Sequence, residues 1–138
     1  MKNVLLINAA LTILFLSATY VGSTHDKRSA DGTPYPLPVG SRWLQDLGFL
    51  AFTLPQVAVI MPTKKPRGRK LTQAQKAANR RTARRRVRIE HVNSSVKRCR
   101  IVHETNRLRK AGVRDLVREV CCALHNFRVR RTPWQPMV

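Results

Sequence analysis

Carboxylates are scarce in this chain: seven Asp and Glu stand against 27 Lys and Arg, giving a formal charge of +20 at pH 7. That balance is far from an ordinary soluble enzyme. It points to a polyanionic partner: nucleic acid, through phosphate neutralisation and counterion release, or an anionic membrane surface. Cysteine is sparse as well. Cys99, Cys121 and Cys122 are an odd set with two neighbours, and their spacing suits neither a zinc site nor a disulfide framework. The usage fits a reducing compartment, with at least one of Cys121 and Cys122 expected as small core filler. Long apolar runs are missing too. The best candidate, residues 4–16, is interrupted by Asn8 and Thr12 and is too short for a confident membrane span. No internal repeat or low-complexity tract stands out. Between Arg69 and Ala111 neither Pro nor Gly occurs, so no helix-breaking residue stands in that stretch.

What is abundant is local. All basic residues except Lys2, Lys27, Arg28 and Arg42 lie after residue 63, so an apolar first half precedes a strongly cationic second half. Within the cationic half one carboxylate, Glu90, stands among the arginines between Arg80 and Arg100. On a helix, residues four and seven apart share a face, which places Arg86, Glu90 and Lys97 on one side. A carboxylate among cations stays ionised and can hold a divalent metal, while the cations suit a polyanion. The plainer alternative is a solvated basic helix whose Glu makes ordinary intrahelical ion pairs.

In chain order, residues 1–23 read either as a signal peptide or as two strands, 3–8 and 11–19, in a sheet covered on both faces. The Gly- and Pro-rich stretch 20–40 contains a polar segment, 25–31, expected as a helical turn capped by Ser23 or Thr24. A short strand is predicted over residues 42–45, with Asp46 at its carboxyl end and Gly48 allowing a turn. An acid there suits a ligand or metal site, although a plain Asp-x-Gly turn is common. Residues 57–61 read as a further strand. The basic linker 64–70 follows, carrying Lys64, Lys65 and Arg67 and free to lie on phosphates. Thr72 and Gln75 form a capping-box pattern for the helical region. Near the end, Val113, Leu116, Val117, Val120, Cys121, Leu124 and Phe127 or Val129 recur at helical spacing, with Arg114, Arg118, Glu119 and Arg128 off the stripe. The expected organisation is a partial sheet region over 1–62, a linker and helix start over 63–76, a basic helical region over 77–131 and a tail over 132–138.

Five segments occur in a characteristic order: Gly22-Ser-Thr-His-Asp-Lys27, Leu44-Gln-Asp-Leu-Gly-Phe49, Lys64-Lys-Pro-Arg-Gly68, Val87-Arg-Ile-Glu-His91 and Cys122-Ala-Leu-His-Asn-Phe-Arg128. Together they resemble the carboxyl-terminal part of bacterial insertion-sequence transposases of the DDE superfamily, close to the Harbinger-type endonuclease domain. The resemblance implies an α/β, RNase H-like mixed sheet with flanking helices, in which two aspartates and a glutamate bind two divalent metals, Mg²⁺ or Mn²⁺. Asp46 matches the second aspartate and Glu90 the glutamate, as catalytic and metal-binding residues. Arg86 and Lys97 match an Arg and a Lys that contact DNA phosphates, joined here by Lys64, Lys65, Arg67 and Arg85. Ala83 stands where relatives carry a Tyr.

The family's first aspartate precedes the segment matching Lys2 and Asn3, and neither Asp26 nor Asp31 takes its place. The resemblance therefore implies a chain that does not transpose alone, being a relic or the downstream half of a split product. DNA is the expected partner, with possible homo-oligomerisation, no membrane and a cytoplasmic, nucleoid-associated location. The alternatives are a non-enzymatic basic nucleic-acid-binding protein and a secreted cationic protein. The roles of His25 and His91 stay open, while His125 is expected to hydrogen-bond within the fold.

Overall fold

The computed structural model describes residues 2–20, 22–32, 34–35, 37–103, 110 and 112–133. The architecture is mixed α/β, with two compact units, Met1–Ser23 with Arg88–Val138 and Thr24–Val87. Among the described residues the strands form two two-stranded sheets, one antiparallel and one parallel, where the sequence suggested a single mixed sheet. No helix among the described residues is long and apolar enough to cross a membrane.

In the first unit the apolar amino-terminal stretch becomes a hairpin. Strand β1 (Leu5–Ile7) pairs with β2 (Ile13–Leu16), with a register irregularity after Leu6, and Lys2 bridges Tyr20. The turn is organised by Asn8, whose side-chain oxygen accepts from the backbone of Ala10 (3.0 Å) and Thr12 (2.9 Å). Leu11 takes φ +65°, a left-handed conformation unfavourable for a branched side chain. Its burial to 4 % exposure offsets that strain.

Four helices complete the described residues. Short α1 (Asp26–Asp31) belongs to the second unit, and α2 (Gln73–Lys97) is followed by α3 (Arg100–His103) and α4 (Val113–Arg131). Val92 and Val96, one turn apart on α2, join Leu11, Ile13, Val102, Cys121 and Cys122 in one apolar core. The basic stretch is interrupted although no Pro or Gly requires it. At Arg98 and Cys99 the hydrogen bonding tightens, Cys99 N donating to Val96 O (3.2 Å) and Val102 N to Cys99 O (2.9 Å). The break brings Val102 into the core beside Val96.

Helix α4 presents a different face from the one its apolar stripe suggests. Cys121, Cys122 and His125 are buried, whereas Leu116, Val120, Leu124 and Phe127 stay half or more exposed. Polar contacts set this rotation. Asn126 accepts from Ile13 N (2.8 Å) and donates to Ile13 O (2.9 Å), occupying the edge of β2 as a neighbouring strand residue would. His125 Nε2 meets the Leu11 carbonyl at 2.8 Å, so this nitrogen carries the proton, and Nδ1 meets Ser95 Oγ at 2.9 Å. Asp115 accepts from both the backbone N and the hydroxyl of Thr19. These partners lie on the side of α4 away from Leu124, so satisfying them turns the apolar stripe outward.

In the second unit β3 (Arg42–Leu44) runs parallel to β4 (Ala58–Ile60), with Trp43 opposite Val59. Tyr35, Trp43 and Phe52 form an aromatic cluster with centroids 5.1–6.1 Å apart. The polar segment forms α1 as expected, but His25 caps it rather than Ser23 or Thr24, its ring accepting from Lys27 N. The capping box is present: Gln75 N donates to Thr72 Oγ1 (3.2 Å) and Thr72 N to Gln75 Oε1 (2.9 Å).

Replacing Asn126 by Ala strands two backbone groups of Ile13, and chemical denaturation is expected to register a loss of about 1–3 kcal/mol. Burial raises the Cys122 thiol pKa and, together with a hydrogen bond that the Cys121 thiol shares with Cys99 in its protonated form, pushes that of Cys121 up to about 11 from 9.0. Because the folded value exceeds the unfolded one, this contribution to stability is complete below pH 9 and is lost as pH rises through about 11. Thiol alkylation at neutral pH is expected to reach half-buried Cys99 first and the buried pair only on unfolding.

Candidate functional site

Strand β3 ends at Leu44, and the next residue, Gln45, is buried and donates from Nε2 to the carbonyls of Phe49 (3.1 Å) and Phe52 (3.2 Å). These bonds fold the following 3₁₀ turn, Leu47–Phe49, back on the strand end and present Asp46 at its start. Asp46 uses both carboxylate oxygens. Oδ1 accepts from Leu47 N at 2.6 Å, and Oδ2 accepts from Arg86 Nη2 at 2.7 Å. A Cβ on Gly48 would lie 2.8 Å from Asp26 Oδ2, the end of a flexible side chain that would have to shift. Two of the segments that carry the family resemblance thus meet at Gly48.

Arg86 lies on α2 and is drawn to Asp46, 40 residues away, rather than to Glu90 one turn along. Glu90 itself is exposed and forms no ion pair or side-chain hydrogen bond among the described residues. It belongs to the unit containing Arg88–Val138, whereas Asp46 and Arg86 belong to Thr24–Val87. Lys97 and Arg85 are exposed on α2.

Lys64, Lys65 and Arg67 are exposed in the linker, whose start is held in place. Thr63 N donates to Asn79 Oδ1 (2.8 Å), and Asn79 Nδ2 donates to Thr63 O (3.0 Å). With Thr72 capping the same helix, the basic segment is a loop pinned at both ends. Sequence reasoning missed this pin and the Asp46–Arg86 pair, because both are contacts between residues distant along the chain.

A sequence profile described as DDE superfamily endonuclease matches residues 1–126. The chain belongs to the DDE superfamily of endonucleases. No curated protein and no solved structure matches the chain significantly. Membership implies a DNA substrate, and endonucleases of this superfamily are generally dependent on divalent metal.

The described residues do not by themselves make a metal site. Both oxygens of Asp46 face protein donors, and no group of three His, Cys, Asp or Glu side chains is placed to share an ion among the described residues. The arrangement stabilises the carboxylate without metal, by one backbone amide and one guanidinium.

The Asp46–Arg86 pair is part-exposed, with side-chain exposures of 48 % and 30 %, so solvent screens it. A double-mutant cycle on Asp46→Asn and Arg86→Gln is expected to return a coupling of only about 0.2–1 kcal/mol in thermal or chemical denaturation.

Proposed function

We propose that this chain is the DNA-gripping portion of a DDE transposase of the Harbinger-like type, built on an RNase H-like plan and unable to cleave DNA alone. The observation that carries the reading is the family match over residues 1–126. The exposed cations on the pinned loop and on α2 support it.

In this reading Asp46 and Glu90 are two of the family's three carboxylates. No third His, Cys, Asp or Glu groups with them to hold an ion among the described residues. Mg²⁺ or Mn²⁺ binding is a property of the completed site, in which a metal would have to displace Arg86 from Asp46. Lys64, Lys65, Arg67, Arg85 and Lys97 contact DNA phosphates. Arg86 either joins them or remains the counter-ion that keeps Asp46 in place. Holding Lys64–Arg67 between fixed ends lowers the ordering cost when the loop meets a phosphate backbone.

A second reading, a non-enzymatic nucleic-acid-binding protein whose acids are structural, is favoured by one observation: Asp46 is already satisfied as a turn cap and ion-pair partner. Both readings expect DNA binding. They part when the chain is joined to a segment that supplies the first aspartate. The transposase reading expects metal-dependent strand cleavage that Glu90→Gln removes, and the second expects none.

For the chain as it stands, fluorescence anisotropy with a labelled duplex should show affinity falling linearly on a log–log plot as salt rises. Incubation of the same duplex with Mg²⁺ or Mn²⁺ should leave it intact. Absence of salt-dependent binding would remove the DNA-gripping role. Cleavage that disappears in Glu90→Gln would show instead that these residues already form a working site.

A further inference from the structure

A groove lies between the later part of α2 and the carboxyl-terminal end of α4, wholly within the unit Met1–Ser23 with Arg88–Val138. It encloses about 700 Å³, inside the range of small-molecule sites. Its lining has two characters. Phe127 and Pro133 contribute an apolar surface, and Arg98, Arg128, Arg131 and His91 contribute cationic or polar groups. No carboxylate lines it among the described residues.

The arginines are not occupied equally. Arg128 Nη2 donates to the Ser95 carbonyl at 3.1 Å, which orients its guanidinium. The side chains of Arg98 and Arg131 make no hydrogen bond or ion pair with other described residues. Phe127 is 61 % exposed, a large aromatic surface left in water beside three positive charges. A cationic groove with an exposed aromatic face is the chemistry that holds unpaired nucleotides, where phosphates meet arginine and bases stack on the ring.

We propose that this groove seats a nucleotide of single-stranded DNA, its base against Phe127 and its phosphate on Arg98, Arg128 and Arg131. The proposal rests on the DNA-binding reading above and names a site on the helix that carries Glu90. Single-stranded rather than duplex DNA is specified by Phe127. A duplex offers its phosphates at the surface and keeps its base faces stacked, so the arginines would serve it equally well without the ring. A helical peptide with an acidic face would satisfy the arginines too, but its anions alone leave the exposed ring of Phe127 unused.

The test uses the full chain in metal-free buffer containing EDTA, with labelled oligo-dT and a duplex of equal length, read by fluorescence anisotropy. Phe127→Ala is expected to weaken oligo-dT binding about tenfold and to leave the duplex affinity unchanged. Phe127→Trp is expected to keep or strengthen oligo-dT binding, which guards against a variant that merely misfolds. Arg98→Gln with Arg131→Gln should reduce the salt dependence of oligo-dT binding. Unchanged oligo-dT affinity in Phe127→Ala, or equal loss on both DNAs with Phe127→Trp also impaired, overturns the proposal. Binding of duplex alone by the unaltered chain overturns the groove but not the DNA-gripping role. Binding of neither DNA overturns that role itself.

Discussion

The edge of β2 is where the amino-terminal hairpin and the carboxyl-terminal helix become one unit. A two-stranded ribbon leaves half of its backbone groups without strand partners, and burying them unpaired costs more than the apolar contact returns. Asn126 supplies that partner with a side-chain amide, matching both groups of Ile13 as another strand would. His125 does the same for the carbonyl of Leu11, and Asp115 for Thr19. With the backbone satisfied, Leu11, Ile13, Val92, Val96 and the cysteine pair can exclude water. The His-Asn pair of α4 therefore earns its place structurally, by closing a sheet edge.

Charge acts as a second constraint on the same chain. With +20 to distribute, few carboxylates are available, and several are placed in specific contacts. Asp115 holds Thr19, Asp46 caps a turn and meets Arg86, and Asp31 pairs with Lys27 at 2.7 Å. Most of the remaining cations on the pinned loop and on α2 face solvent, which is a costly state for self-repelling charge and a favourable one for a polyanion.

Much of the secondary structure was legible from local chemistry. The capping box at Thr72 and Gln75, the strand leading to Asp46 and the helix after Gly112 all depend on neighbours in sequence, whereas the amino-terminal stretch read equally as a signal peptide or as two strands. His125 was expected to bond within the fold, and it does. The uninterrupted basic helix, the cap on α1 and the buried stripe of α4 were read differently from how they form. In two of these a tertiary contact won over a local preference, Val102 entering the core and polar residues of α4 seeking the hairpin backbone, while the cap on α1 is a local bond from Lys27 N to the His25 ring. Likewise Asp46 and Arg86 could each be singled out, but not their pairing, since spacing places Arg86 equally well beside Glu90.

By itself the sequence determined the class of this protein. Its ordered segments mark a DDE endonuclease, its second half carries most of the positive charge, and its helix and strand periods mark mixed α/β structure. All of these are properties of composition and short-range spacing, which survive without knowledge of contacts. Only the tertiary structure decided which groups face each other. The rotation of α4, the ion pair at Asp46, the pinned loop and the arginine-lined groove under Phe127 each require residues distant in the chain to meet. Such meetings are set by burying apolar surface while leaving few backbone polar groups unpaired, a condition on the whole fold that no local pattern encodes.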